Sequence, residues 1–600
     1  MDLSKAHLHW RVSHYEGKSY KSYSLARSVR VNGKNRKEIL LPLGKLTDQE
    51  AEGWRNILKQ LKEGDSTSIR DLFISSNYAY LDVAVALEIW RSWGLDDVFE
   101  KQDKRQIPLS AVVAALTINR CIDPVSKVRV PEWFKKTALP FLLGVEPEQM
   151  NPSRIFRELT EIERHKTVLC DYLYKEHLKR DPESMKTVFY DLSTTTFSGT
   201  HCILMKWGHC KEGFENHVVL ALVVNEKALP VYWAVLTGNT ADVSTIDWLL
   251  RCLRERFKIA TPTIVFDRGM VSDSNLALLE SEPIKYISAM DKNQLEGVSS
   301  VNFEALTASS IEEAKKKIES TGLFLQHHET YYHDVQTNDI SIPRRYILCF
   351  NPQLFEDQKN SREEALLRFE EAVKELNYEL LQATRSRDKE STIKKFERAA
   401  AGCHVKEFVS ITLNEKRVVC KESNTLTKIQ TYQGVIRVDE AKKAKAGRLD
   451  GFWMLVTNHL DKNEFTSAKV IQAYKDKVVI ESSFRDIKSF INVGPVHVWT
   501  MDHVKAHYTA CVLAYLIDRT LSLTLKENPG KCSAEIVSHE GLFRELSLCY
   551  LNRIEIKGKK KGTLSLTRPT PIQRDLLSRI GLSGLIEEEK IKDLCIEQCG

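Results

Sequence analysis

Residues 470–491 read VIQAYKDKVVIESSFRDIKSFI. The stretch has no Pro or Gly, and its apolar residues recur at helical spacing, which predicts one helix of about six turns. Ile480, Phe484, Ile487 and Ile491 would make a buried stripe along it. Beside that stripe runs a polar one. Tyr474, Lys477, Glu481 and Lys488 are spaced three, four and seven residues apart and fall within an arc of roughly 60° at 100° per residue. A carboxylate flanked by two lysines and a phenol, next to a core-facing seam, suits a cleft that holds metal and phosphate. For a lone Glu on a helix, i,i+4 salt bridges on a solvated face are the commoner outcome, and spacing alone does not decide between the two.

Working back along the chain, the texture becomes strand-like at Thr187. TVFYD (187–191), HVVLALVV (217–224) and LPVYWAVL (229–236) are apolar and β-rich, with turn residues between them. A helical pattern over 242–257 follows, then the strand PTIVFD (262–267), a helix from about Ser272 to Leu279 and the strand IKYISAM (284–290). Three strands, helix, strand, helix, strand is the order of the RNase H-like fold, an open mixed sheet sandwiched by helices. In that fold the first and fourth strands are neighbours. Asp191, closing the first, and Asp267, closing the fourth, would then lie at one edge of the sheet. Taken singly, an Asp at a strand end is more often a turn or cap residue.

The pattern Y-x2-K-x3-E-x6-K resembles the Y-R-E-K signature of DDE-type insertion-sequence transposases, with Lys477 where that family has Arg. YDLSTTTF and VFDRGMVSDSNL resemble the segments carrying the family's first and second acids, Arg268 and Gly269 following the second. LTGNTADVSTIDWL resembles a further block, making Asp242 a reserve candidate that N-capping also explains. INRCIDPVSK (118–127) resembles a segment found ahead of the catalytic core. The segment 206–217 departs from the family, placing Trp207, His209, Asn216 and His217 where Arg, Asp and Gln are usual. The resemblance implies that Asp191, Asp267 and Glu481 ligate two divalent ions, Mg²⁺ or Mn²⁺. It also implies that Tyr474, Lys477, Lys488, Arg268 and Arg485 contact DNA, and that the insertion before the last acid is a feature of the subgroup.

Around this core, the first 45 residues predict a β-meander turning at Asn32-Gly33, followed by a helix with a Thr47/Glu50 capping box. The expected organisation is a β-meander plus helix over 1–70, a helical DNA-binding or dimerisation domain over 71–185 and a catalytic core over 186–296. An inserted β-rich and helical domain over 297–449, the Glu-bearing second part of the core over 450–525 and a C-terminal region over 526–600 complete it. Within the insertion, Leu366, Phe369, Val373, Leu376 and Leu380 make a helical seam that favours packing on its own domain over dimerisation.

Composition bounds the rest. A net charge of +6 over 600 residues does not announce a nucleic-acid partner, so local basic clusters such as KGKKKG (557–562) must carry that role. Thirteen Cys without a repeated CxxC frame predict reduced thiols in a cytoplasmic protein. The apolar runs are far below a membrane span, which predicts no membrane partner, and the family resemblance implies a prokaryotic, nucleoid-associated setting. His503 and His507, at i,i+4, lack a placed carboxylate and favour packing over metal. The gaps between His201-Cys202, His209-Cys210 and His217 do not match close zinc ligand pairs. Tyr331 and Tyr332 are the available aromatics for a base-flipping wedge in the insertion.

Three oxygen ligands suffice for phosphoryl transfer assisted by two hard cations about 3.5–4 Å apart. The family resemblance implies a transposase that binds the double-stranded ends of a mobile element, as a homodimer on DNA, and joins them to target DNA. A stand-alone RNase H-like nuclease, or a catalytically silent DNA-binding derivative, is the alternative.

Overall fold

The computed structural model describes residues 5–591 except 16–17, 32–33, 63–71, 101–106, 248, 251–261, 336–342, 423–424 and 557–561. The Asn32-Gly33 turn and all but the last residue of KGKKKG lie outside the described residues. The chain forms two compact units, one of Met1–Tyr172, Phe197–Cys202 and Asp486–Gly600, the other of Leu173–Thr196 and Ile203–Arg485.

In the first unit, β1 (Ala6–Tyr15), β2 (Lys18–Val31) and β3 (Lys34–Gly44) form an antiparallel meander. The helix Asp48–Lys62 covers it, packing Leu58 and Trp54 against Ala6 and Leu25. The capping box starts that helix as expected: the Glu50 amide donates to Thr47 Oγ1 at 3.2 Å, and the Thr47 amide donates to Glu50 Oε2 at 2.9 Å. The strand β4 (Leu72–Ala79) leads into a helical body. Its centre is the helix Leu109–Ile122, buried on every side except at Ile122. A helix this apolar all round must be a core helix. It packs on the helix Met501–Glu527, itself buried from Val504 to Asp518 except at Lys505. Among the described residues no helix is long and apolar enough to cross a membrane.

The second unit is built on one large mixed sheet. Its strands are β5 (Thr187–Thr196), β6 (Lys206–Cys210), β7 (Gly213–Asn225), β8 (Pro230–Leu236), β9 (Thr263–Phe266) and β10 (Lys285–Ala289). They are joined by β11 (Leu325–His327), β12 (Thr330–Val335), β13 (Arg345–Phe350) and, much later in the chain, β16 (Phe452–Thr457). The order is β11-β12-β13-β16-β10-β9-β5-β7-β6, with β8 also paired to β7. β5, β9 and β10 run parallel, and the remaining pairs are antiparallel. This is the mixed sheet expected of the RNase H-like reading, with β5, which carries Asp191, beside β9, which Asp267 follows. Strands Val188–Tyr190, Ile264–Phe266 and Tyr286–Ser288 are fully buried, as parallel strands covered on both faces require.

Two details differ from the sequence reading. β6 went unread, because KWGHC is short, polar and edge-placed. Strands β11–β13, inside the stretch 297–449, extend the main sheet. What projects from it is a body made of the helices Pro352–Leu381 and Lys389–Gly402 and the hairpin of β14 (Val409–Glu422) with β15 (Thr425–Val438). The helical seam packs here: Phe369, Val373 and Leu380 meet Phe396 and Phe408 in one cluster. Gly434 is required where hairpin and helix touch, since a Cβ there would lie 2.5 Å from the Phe396 ring. The last strands, β17 (Tyr550–Ile556) and β18 (Gly562–Leu566), pair with each other, and β17 pairs with β4 in the first unit.

Candidate active site

The two aspartates are placed by the backbone ladder. β5 and β9 pair in parallel with Tyr190 opposite Phe266, so Asp191 and Asp267 are the next residues on adjacent strands, which in a sheet lie about 4.8 Å apart. Asp191 does not close its strand, as the sequence suggested. β5 continues to Thr196 because β7 goes on pairing with it, Asp191 opposite Leu222. Asp267 does end its strand, and its side chain accepts a hydrogen bond from the Arg268 amide at 2.8 Å, opening a single 3-10 turn.

Glu481 lies in the stretch 470–491, but not on one continuous helix. Helix Ser467–Lys475, capped by Thr466, stops, and a second runs Val478–Ser489. Between them the amides of Lys477, Val479 and Ile480 donate to carbonyls three residues back, at Tyr474, Asp476 and Lys477. Bonds of this spacing are the tighter 3-10 winding, which separates the two helices. Ile480, Phe484, Ile487 and Ile491 are all buried, as the stripe requires. Glu481 is exposed on the first turn of the second helix, Arg485 is exposed one turn on, and Lys488 lies half-buried on its last turn.

Lys477, at the break, joins the two parts. It is buried, and its ammonium lies 3.5 Å from Asp267 Oδ1 and 3.3 Å from Glu481 Oε1. Burial works against its charge, but Asp267, Asp191, Tyr474 and Glu481 outweigh that and hold its pKa above the ordinary lysine value. Asp191 shows the opposite balance. Burial pushes its carboxyl up to about 6, Asp267 adds to the rise, and Lys477, the Leu192 amide and Lys211 pull it down. Tyr474 is half-buried with its ring 5.6 Å from Trp453, and burial raises its phenol to about 12. Its ring is thus packed within the protein. Arg268 is exposed beside Asp267.

Asp242 also belongs to this neighbourhood. It starts a 3-10 turn, Asp242–Ser244, and its carboxylate lies against Gly269, where an added Cβ would approach Oδ2 to 3.3 Å. The residue is exposed overall, yet its pKa is raised, first by the protein packed over one side and then by Asp267. Lys211 was missed by sequence reading. It sits in the β6–β7 turn, where the Thr194 hydroxyl accepts from its amide at 3.2 Å, and its charge reaches both Asp191 and Asp242. A lysine in a hairpin turn carries no signal until the sheet order is known.

Other sequence candidates are committed elsewhere. His507 is buried, with Nε2 2.9 Å from the Val493 carbonyl, and His503 Nε2 lies 3.3 Å from Thr160 Oγ1. Both ring nitrogens of His217 face carbonyls, those of Glu215 and Gly238. Tyr331 is buried and donates to Glu319 at 2.8 Å, while Tyr332 is half-buried on β12. Tyr331 is thus a core residue of its strand.

The donor set around Asp191 and Asp267 is all oxygen, which matches hard divalent cations. The Lys477 ammonium fits between Asp267 and Glu481, so the space between those carboxylates accommodates positive charge. Among the described residues no three His, Cys, Asp or Glu side chains converge as a ready-made cage; with the lysine in place, Glu481 is held by an ion pair.

The family model described as "Transposase DDE domain" matches residues 192–517, beginning immediately after Asp191 and spanning Asp267 and Glu481. The model described as "IS1634 family transposase, N-terminal domain" matches residues 11–69. No curated protein sequence matches the chain. Among solved structures, it is similar to the piggyBac transposase synaptic complex with hairpin DNA, at 9% identity and a TM-score of 0.31, over 86% of this chain and 84% of that one. It is also similar to the Mos1 transposase paired-end complex with left transposon end, at 14% identity and a TM-score of 0.13, over 32% of this chain and 64% of that one. A third likeness is the Mos1 mariner paired end complex with Mn, at 15% identity and a TM-score of 0.13, over 39% and 72%. These likenesses are distant.

Proposed function

This chain belongs to the transposase DDE-domain family, and from that premise we propose that Asp191, Asp267 and Glu481 are the three acids of a DNA transposase of the Y-R-E-K subgroup. The family performs metal-dependent DNA cleavage and strand transfer. The observation that carries the assignment is the parallel pairing of Tyr190 with Phe266, together with Lys477 reaching from Asp267 to Glu481. Two Mg²⁺ or Mn²⁺ ions held by the three carboxylates would supply an activated attacking oxygen and a stabilised leaving oxygen.

The chain's own residues then have distinct tasks. The sheet ladder fixes the spacing of Asp191 and Asp267, and the helix Val478–Ser489 brings Glu481 toward them. Lys477 neutralises the acids before cation and DNA arrive, and afterwards its ammonium serves a phosphate beside the scissile bond. Arg268, Arg485 and Lys488 contact the backbone of element ends and target, and Tyr474, its ring tilted against Trp453, backs Lys477. The protein acts on double-stranded DNA as a homodimer, the body over 352–438 serving end recognition.

The test is a cleavage and joining assay on labelled duplex ends of the element with Mg²⁺ or Mn²⁺. Asp191→Asn, Asp267→Asn and Glu481→Gln should each lower cleavage by more than about 100-fold, the loss that even supporting residues of metal sites can cause. End binding should persist. Joined products separate a transposase from a stand-alone nuclease, and normal cleavage by Glu481→Gln would remove Glu481 from the site.

A further inference from the structure

The INRCIDPVSK segment, which the catalytic assignment leaves unused, lines a cavity of about 220 Å³ within the first unit, together with residues 492–498 and His507. Its floor is cationic. Arg120, Lys127 and His507 are each only 6% exposed, and Lys127 Nζ lies 3.1 Å from His507 Nδ1. Arg120 is fixed by donating to the carbonyls of Val125, at 2.5 Å, and Asn492, at 3.2 Å. Its Nε is buried and has no hydrogen-bond partner. The rim residues Ser126, Asn492 and His497 are exposed, so the cavity opens to solvent. No Asp or Glu lines it.

Two cationic side chains almost out of water, with no carboxylate beside them, are unusual: buried charges in proteins are normally paired or bound to a counter-ion. The neighbouring groups register this excess. Burial and then Arg120 push the Lys127 ammonium down to about 7, and burial, Lys127 and Arg120 drive His507 well below the ordinary histidine value. Structural lysines of this kind are generally exposed or matched by an acid. The volume far exceeds that needed to admit water, and an unpartnered guanidinium N–H beside an ammonium suits oxyanion recognition.

We propose that this cavity is an oxyanion site that takes a phosphate group, with Arg120 and Lys127 as its charged partners and Asn492 and Ser126 at its mouth. The phosphate is either a backbone phosphodiester of bound DNA or free inorganic phosphate. The site lies wholly in the first unit, whereas the three acids lie in the second, so its test does not depend on the catalytic reading.

The experiment uses the full chain with inorganic phosphate as the probe, against chloride at matched ionic strength. Thermal melting and calorimetric titration should show saturable phosphate binding by the parent protein. Lys127→Met should weaken it by about tenfold or more, the loss expected for one charge-assisted partner. His497→Glu alters only the exposed rim and should weaken it similarly by charge repulsion, which covers the case in which Lys127→Met fails to fold. A second arm measures binding of a mixed-sequence duplex as a function of salt. If the slope of log affinity against log salt falls by about one in His497→Glu, the phosphate is the DNA backbone. An unchanged slope with phosphate binding retained in the parent assigns free phosphate. Absence of saturable phosphate binding by the parent, with the duplex slope equal in parent and variant, overturns the proposal.

Discussion

Replacing Lys477 with Met isolates the role of its ammonium. Two unit charges 4 Å apart interact by about 4 kcal/mol at the effective dielectric of a protein surface. The two carboxylates it reaches are open to water, with side chains 46% and 57% exposed, and exposed pairs retain only about 0.2–1 kcal/mol each. Two such contacts give the lysine a hold of about 0.4–2 kcal/mol, which an arriving divalent cation must displace. Lys477→Met should therefore bind Mn²⁺ about 2- to 30-fold more tightly than the parent, read from the free-ion signal in an electron paramagnetic resonance titration at neutral pH. The same variant, lacking counter-charge for Asp191 and Asp267, should melt at lower temperature in chelator and recover when Mn²⁺ is added. Unchanged or weaker Mn²⁺ affinity would refute the idea that lysine and cation compete for the same carboxylates.

Other expectations are independent of the metal. Gly434→Ala should loosen the helix–hairpin body by about 1–3 kcal/mol through overpacking against Phe396, seen as faster hydrogen exchange over 352–438; Gly402→Ala, with nothing within 4 Å of the new Cβ, is the control. Asp518 is buried, with His539 Nε2 3.8 Å from its Oδ2, and burial raises its pKa well above the ordinary value, against the smaller lowering effect of the Cys121 thiol. Between the unfolded pKa near 3.9 and its own higher one, the native chain holds a proton that the unfolded chain has released, so its contribution to stability falls as pH rises. Asp518→Asn should thus gain stability over the parent at about pH 7.5 relative to about pH 4.5, as urea denaturation at the two pH values would show. Thr47→Ala should cost the first helix about 1 kcal/mol, measured by local exchange at 48–62.

Much of this architecture was legible because periodicity and turn chemistry are local. The alternating strands around Tyr190 and Phe266 and the Thr47/Glu50 box need only their neighbours in sequence. Their placement side by side came from one topological expectation, that the first and fourth strands pair. The break at Asp476–Lys477 was not legible, since no Pro or Gly marks it; it comes with Lys477 turning inward to Asp267, an acid distant in sequence, as well as to Glu481 one turn on. Lys211 and the Arg120–Lys127–His507 floor were hidden for the same reason. Their meaning lies in charges that other segments do or do not bring near, which no window of sequence contains.

The strand pairing at the base of the projecting body has a wider consequence. The chain leaves the sheet at Phe350 and re-enters at Phe452, residues that sit directly opposite each other, and the Asn351 amide is bonded to the Gly451 carbonyl at 2.9 Å. Everything from 351 to 451 is therefore, to the sheet, no more than an oversized hairpin loop, and closing such a loop depends only weakly on its length. An exchange, enlargement or paring of the body to a tight turn would leave the pairing that registers the Asp191 and Asp267 strands with each other untouched, since that pairing lies outside the loop.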